Sequence, residues 1–223
     1  MAHQISKQEI EKELKEILSF GVIGYPSDYL CWLKMSFVQK FDDFQFDISE
    51  AGVKELLDSL VSSGDAKPGE FDKKEYTVQD QSDIARQSFG EENYVILGGH
   101  EYSPIQYLRS RLEYFLKRKE ATEADIMDIS IATIEAIENA VKYGDGKEIL
   151  INYSVASERL FSITITNRIK EFELQTEIER GKYSSNITLM RGVMVMQKLF
   201  DNLDLSILDD TKQAKLFAQK KLS

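Results

Sequence analysis

A single cysteine, Cys31, occurs in 223 residues. One thiol excludes an internal disulfide and leaves no partner for a Cys-based zinc cluster, which fits a reducing compartment. Cys31 reads as a small buried apolar residue. The start Met1-Ala2-His3-Gln4 lacks an apolar signal core, and no stretch approaches the length of a membrane span, so the sequence predicts a cytoplasmic protein without a membrane role. Without a secretory signal, the sequons Asn152-Tyr153-Ser154 and Asn186-Ile187-Thr188 carry no meaning. Positive charge is also scarce: 28 basic against 38 acidic side chains give a formal charge of -10, which disfavours direct binding to a nucleic-acid backbone. Histidine is limited to His3, at the terminus, and His100, in an expected loop. The 42% hydrophobic content is enough for a real core.

The first third reads as helical. Ser6 and Glu9 have the spacing of a capping box, followed by Ile10, Leu14, Ile17 and Leu18 on one stripe. A second helix follows Pro26-Ser27 with Leu30, Leu33 and Phe37 inward, and a third starts near Ser49 with Val53, Leu56, Leu57, Leu60 and Val61. Phe44, Phe46 and Ile48 alternate between them, so a short strand and a winged-helix-like unit are both open. We expect a small helical domain over 1–62, a connecting segment over 63–91, and a second domain over 92–223.

In that second part the period changes. A strand at Tyr94–Leu97 precedes a helix opened by Ser103-Pro104 and a longer one from Thr122. The longer helix carries Ile126, Ile129, Ala136, Ile137, Ala140 and Val141, widened by Ile131 and Ile134, and so broad an apolar surface implies packing on a sheet. Ile149, Ile151, Tyr153 and Val155 alternate, as do Phe161, Ile163 and Ile165, which is a hairpin. A polar stretch from Arg168 to about Thr188 leads to a helix with Met190, Met194 and Met196, read as core, and then a last hairpin of Leu203, Leu205 and Ile207 against Leu216 and Ala218. The fold class is α/β, a two-layer sandwich of a mixed or antiparallel sheet packed by helices, with a small, mainly helical N-terminal domain.

Glu135 and Asn139 stand one turn apart near the end of the long helix and share a face. An amide oxygen can coordinate Mg²⁺, and a carboxylate beside it can orient or deprotonate an attacking hydroxyl in phosphoryl transfer. The run Glu135-Ala136-Ile137-Glu138-Asn139-Ala140-Val141-Lys142-Tyr143-Gly144 resembles the N box of the gyrase, chaperone and histidine-kinase ATPase superfamily (GHKL), and is most similar to that of the anti-sigma-factor serine kinases. The order of elements over roughly 92–223 resembles the same ATPase domains.

The resemblance implies Glu135 as base, Asn139 as ligand of Mg, and Tyr143 near the phosphates, with Lys142 and Gly144 either taking part or simply ending the helix. An Asp-x-Gly-x-Gly motif should follow the returning strand. Here the stretch is Thr166-Asn167-Arg168-Ile169-Lys170-Glu171, so the adenine contact falls to Asn167, and Ile169 and Glu171 replace the glycines. A lid containing Gly181, Ser184 and Ser185 would lead to Arg191 and Gly192, at a helix N-terminus whose free amides hold phosphate. The implied function is that of an ATP-binding regulatory protein, a serine/threonine kinase of the anti-sigma type. It would act by partner switching on a sigma factor or anti-anti-sigma-like protein, with a homodimer permitted. The alternative is a degenerate ATPase fold that binds no nucleotide and serves as an interaction module. A histidine autokinase is disfavoured by the placement of His3 and His100, and topoisomerase or mismatch-repair functions would need further domains.

Overall fold

The computed structural model describes residues 2–86, 89–170, 188–208 and 211–223, and for 188–191 the backbone alone. The chain divides into two compact units, residues 1–88 with 101–115, and residues 89–100 with 116–223.

In the first unit, α1 (Lys7–Ser19) opens with the expected box: Ser6 Oγ accepts from Glu9 N while Glu9 Oε2 accepts from Ser6 N at 2.8 Å. This satisfies two of the amides that every helix start leaves unpaired. In α2 (Pro26–Lys40), Asp28 Oδ2 accepts from Tyr25 N at 3.0 Å, and α3 (Glu50–Ser63) is capped by Ser49 and ends at Gly64, whose φ of 83° is the left-handed conformation that glycine takes without strain. Two residues of β1 (His3–Gln4) pair in parallel with β2 (Phe44–Gln45). Within the stretch expected to connect the two domains, β3 (Ala66–Pro68) and β4 (Tyr76–Val78) form an antiparallel pair. Most of α4 (Pro104–Arg118) belongs to this unit. Trp32 is fully buried, edge-on to Tyr29 and Tyr107, and donates through Nε1 to Ser103 O at 3.3 Å.

The second unit is built on a five-stranded, wholly antiparallel sheet, in the order β5 (Glu92–Leu97), β6 (Gly144–Val155), β7 (Leu160–Ile169), β9 (Gln213–Lys221), β8 (Asn202–Leu208). Because side chains alternate across a strand, the register that opposes Ile151 to Ile165 and Ile165 to Leu216 puts these residues on one face, with Tyr153, Ile163 and Ala218 in the adjoining row. That face is buried by α5 (Glu123–Tyr143) and α6 (Thr188–Leu199). The α/β architecture is therefore as expected. Thr122 caps α5 by accepting from Asp125 N, and no loop follows the helix, since Tyr143 is its last residue and Gly144 the first of β6.

Two expectations are corrected. Ile131 is not packed on the sheet: it is 43% exposed, because the sheet-facing arc of α5 is already filled by Ile129, Ala136, Ile137 and Ala140. Met194 is 55% exposed, whereas Met196, two residues on and turned inward, is buried. The side chain of Met190 lies outside the described residues. Among these residues no helix is long and apolar enough to cross a membrane.

Candidate functional site

The inner face of the second unit is not completely filled. A cavity of about 210 Å³ lies between α5, α6 and strands β7, β8 and β9. Ala136, Asn139, Ala140 and Tyr143 reach it from α5, Val193 and Met196 from α6, and Ile165, Asn167, Ile169, Leu205, Ile207, Ala214 and Leu216 from the sheet. The polar groups in this lining are few, which suits a flat apolar ligand fixed by one or two directed hydrogen bonds.

Asn167 is the sheet's polar contribution. It stands two residues beyond Ile165 on β7, hence on the same inward face, opposite Ile149 and Ala214 in the ladder, and it is 6% exposed. Its Nδ2 donates to Arg168 O at 3.0 Å and makes a longer contact, 3.5 Å, with Ala140 O. Two main-chain carbonyls on the nitrogen side fix which way the amide points, since a carbonyl oxygen turned toward them would repel. Oδ1 takes no bond among the described residues and is left as an acceptor. An Asn oriented in this way offers the same hydrogen-bonding face as the expected Asp.

Glu135 and Asn139 are half-buried on one face of α5, as their spacing requires, and α6 lies directly over them. A Cβ placed on Gly192 would stand 2.8 Å from Glu135 Oε2 and 3.1 Å from Asn139 Nδ2, closer than carbon normally approaches either atom. The glycine therefore allows the two helices to meet at the carboxylate. Here the structure departs from the expected start of that helix. Because α6 begins at Thr188, Gly192 is its fifth residue and lies beyond the four amides that a helix leaves unpaired, so its N–H is not one of the free amides expected to hold phosphate. The side chain of Arg191 is outside the described residues, as are Glu171 and the lid residues Gly181, Ser184 and Ser185.

Tyr143 is buried and forms part of the cavity wall, with its hydroxyl accepting from Lys142 Nζ at 2.9 Å. Gly144 is not a left-handed helix terminator: its φ of -77° and ψ of 168° are those of a strand. Glycine is needed there for space, because a Cβ would lie 2.2 Å from Ala140 O and 3.0 Å from Asn167 Nδ2. Ile169, expected to add bulk where the base would lie, takes its place in the wall without closing the cavity. Leu205, Ile207 and Leu216 alternate as ordinary core residues do, so their share in the lining had no separate signal in the sequence.

The residues present suit the chemistry of adenine and Mg²⁺: an apolar slot with a fixed acceptor for an exocyclic amine, and a carboxylate with a carboxamide oxygen, the hard donors that this ion takes. Among solved structures, the chain is similar to the RsbU and RsbW domains of a Mycobacterium tuberculosis protein, at 15% identity and a TM-score of 0.46, over 66% of this chain and 35% of that one. It is also similar to the histidine kinase domain of a blue-light activated histidine kinase from Erythrobacter litoralis, at 14% identity and a TM-score of 0.34, over 96% and 93% of the two chains. No curated protein matches the sequence. With both TM-scores under 0.5, the assignment rests on the sequence family described as histidine kinase-like ATPase domain, which matches residues 102–217, more than half of the chain. The chain belongs to the histidine kinase-like ATPase domain family.

Proposed function

We propose that this protein is an ATP-binding regulator of the anti-sigma serine-kinase type, acting by partner switching. The observation that carries the reading is Asn167: its amide is held with Oδ1 available in an open, apolar cavity, although the glycines of the expected motif are replaced. Asn167 would accept a hydrogen bond from the amino group of adenine, and Tyr143, Ile165, Ile169 and Leu216 would flank the ring. Asn139 Oδ1 would hold Mg²⁺. Bound ATP supplies a transferable phosphoryl group. Glu135 would take the proton of a partner's Ser or Thr hydroxyl as that oxygen attacks phosphorus, leaving the phosphorylated partner and ADP. The first unit, outside most of the matched region, would receive an input or hold a second protein.

Calorimetric titration of Mg-ATP into the wild type and into Asn139→Ala tests the reading. Saturable heat that the variant loses supports it, and the absence of heat from a folded wild type sinks it. A second reading has its own observation in its favour. Gly192 pressed against Glu135 and Asn139 leaves α6 seated where phosphates and metal would lie, as suits an interaction module that never takes nucleotide.

A further inference from the structure

The two ends of α6 are held unequally. At its C-terminal end Lys220 Nζ donates to Leu199 O at 3.0 Å and meets Asp128 Oδ2 of α5 at 3.1 Å, a cation placed where the end of a helix favours one. Met196 and Phe200 are buried there, and the chain just beyond is fixed to β9, with Asp201 N donating to Gln219 O and Lys221 N donating to Asp201 Oδ2. The N-terminal half has no comparable hold. From Phe200 through Met196 to Gly192, at steps of four along the inward side, the apolar side chain dwindles to nothing, and glycine also weakens the helix at that point.

What the weakly held half covers is the polar end of the site. The main chain at residue 192 lies so near Glu135 Oε2 and Asn139 Nδ2 that a Cβ there would stand 2.8 and 3.1 Å from them. Mg²⁺ keeps six oxygens at about 2.1 Å, most of them from water and phosphate, and these have no place beside the Asn139 amide while a helix backbone rests on it. The apolar end of the cavity, with Asn167, Tyr143 and Leu216, stays open under the same helix. We propose that the start of α6 is an autoinhibitory cover: seated, it closes the metal and phosphate end of the cavity, and Mg-nucleotide binds only after residues 188–192 lift from Glu135 and Asn139 while residues 193–199 stay clamped. Gly192 is the hinge. The inference deepens the regulatory reading and rests on it for the ligand. A ligand that fits the lifted state alone draws the equilibrium toward it, and its apparent affinity is lowered by the fraction of molecules that are seated.

The contact supplies its own lock. A Cβ on residue 192 would stand 3.9 Å from Glu135 Cβ, inside the span of about 3.5–4.5 Å that a disulfide bridges. The full chain with Glu135→Cys, Gly192→Cys and Cys31→Ala can therefore be locked in the seated state by oxidation and released by dithiothreitol. Calorimetric titration should show saturable Mg-ATP binding to the reduced form, weakened at least roughly tenfold by oxidation. Adenosine, which brings neither phosphate nor metal, should bind both forms alike. Equal Mg-ATP binding by the two forms, or a cysteine pair that does not oxidise, would overturn the cover and leave the nucleotide reading standing. Loss of adenosine together with Mg-ATP would show that the lock deforms the whole cavity, and would overturn it too. A second variant touches neither Glu135 nor Asn139. Thr188→Gly with Leu189→Gly lowers helix propensity in the first turn of α6 and should tighten Mg-ATP binding about threefold to fivefold over wild type, with far-ultraviolet circular dichroism checking that it is folded. Unchanged or weaker affinity in that variant would overturn the cover. If wild type and the loosened variant are both folded and neither takes Mg-ATP, the nucleotide reading falls, and the cover with it.

Discussion

Gly192 and Glu135 are in contact across the α5–α6 interface, to the extent that a methyl group on residue 192 would lie 2.8 Å from the Glu135 carboxylate. Glycine inside a helix costs about 1 kcal/mol relative to alanine, so its presence at the fifth position of α6 is bought by this approach. Gly192→Val, which adds a branched side chain at the contact, should destabilise the second unit by about 1–3 kcal/mol, read from the urea midpoint. Gly192→Ala should cost less, because the nearest atoms are the ends of side chains that can turn aside and the helix gains propensity. A valine variant as stable as wild type would show that the helices do not meet there.

Gly144→Ala is the sharper steric test. The φ of -77° suits any residue, so a loss can come only from contact, and the atom at 2.2 Å is the main-chain oxygen of Ala140, which cannot move without unwinding the last turn of α5. We expect destabilisation of about 3 kcal/mol by thermal or urea unfolding. Nucleotide affinity, if present, should fall as well, because Asn167 Nδ2 is the next atom in the way.

Asn167→Asp and Asn167→Leu should diverge. The aspartate keeps an acceptor in the cavity but loses the donor to Arg168 O, so ATP should still be favoured over GTP in competition binding. The leucine keeps the volume but leaves Arg168 O without a donor and offers nothing to an amino group. It should cost about 1–3 kcal/mol of stability and abolish the preference for ATP. Equal discrimination by wild type and leucine variant would remove Asn167 from base recognition.

Asp125, buried near the start of α5, gives a pH prediction. Burial alone pushes its carboxyl up, but the bond from Ser223 N at 2.9 Å, the Thr122 hydroxyl at 2.7 Å and the charge of Lys220 outweigh burial and hold it below the ordinary range. A lowered carboxyl pKa means that the folded state binds its proton less readily than the unfolded chain does. The stability it contributes is therefore complete above the unfolded value of about 3.9 and is lost as pH falls through the folded one. Asp125→Asn should cost about 1–2 kcal/mol at pH 7, and the gap from wild type in urea midpoint should close as the pH is lowered below 4. A gap that persists at low pH would mean that shape, and not charge, is what Asp125 supplies.

Residues with local partners were the legible ones. Ser6 and Glu9 bond to each other within one turn, the alternation of Ile149 to Val155 with Phe161 to Ile165 needs only a short turn between, and the shared face of Glu135 and Asn139 follows from helical geometry. The start of α6 was hidden for the converse reason. Gly192 reads as a helix boundary by propensity, and only contact with a distant helix makes it an interior residue. Apolar spacing likewise marks Leu205, Ile207 and Leu216 as inward-facing but cannot tell a filled interior from a cavity. Ile131 has the same limit from the other side, since a sequence shows that a residue is apolar and not whether the fold covers it.

The direct passage from Tyr143 into Gly144 has a mechanical consequence. Gly144 pairs with Ile169 directly after the helix, so a residue inserted between Tyr143 and Gly144 that left this pair in place would have to be absorbed by turning α5 about its axis, roughly 100° per residue, carrying Glu135 and Asn139 away from the cavity. The register shift between Gly144 and Ile149, where Gly146 has a φ of 78°, gives the strand room for one just beyond. The same insertion in the turn at Ala156–Arg159 would merely lengthen a loop. Drift in chain length should therefore be tolerated in that turn and in the irregular stretch after Gly144, and rejected at the Tyr143–Gly144 joint itself, so that the joint fixes the phase of the α5 side chains against the sheet as a keyway fixes a shaft.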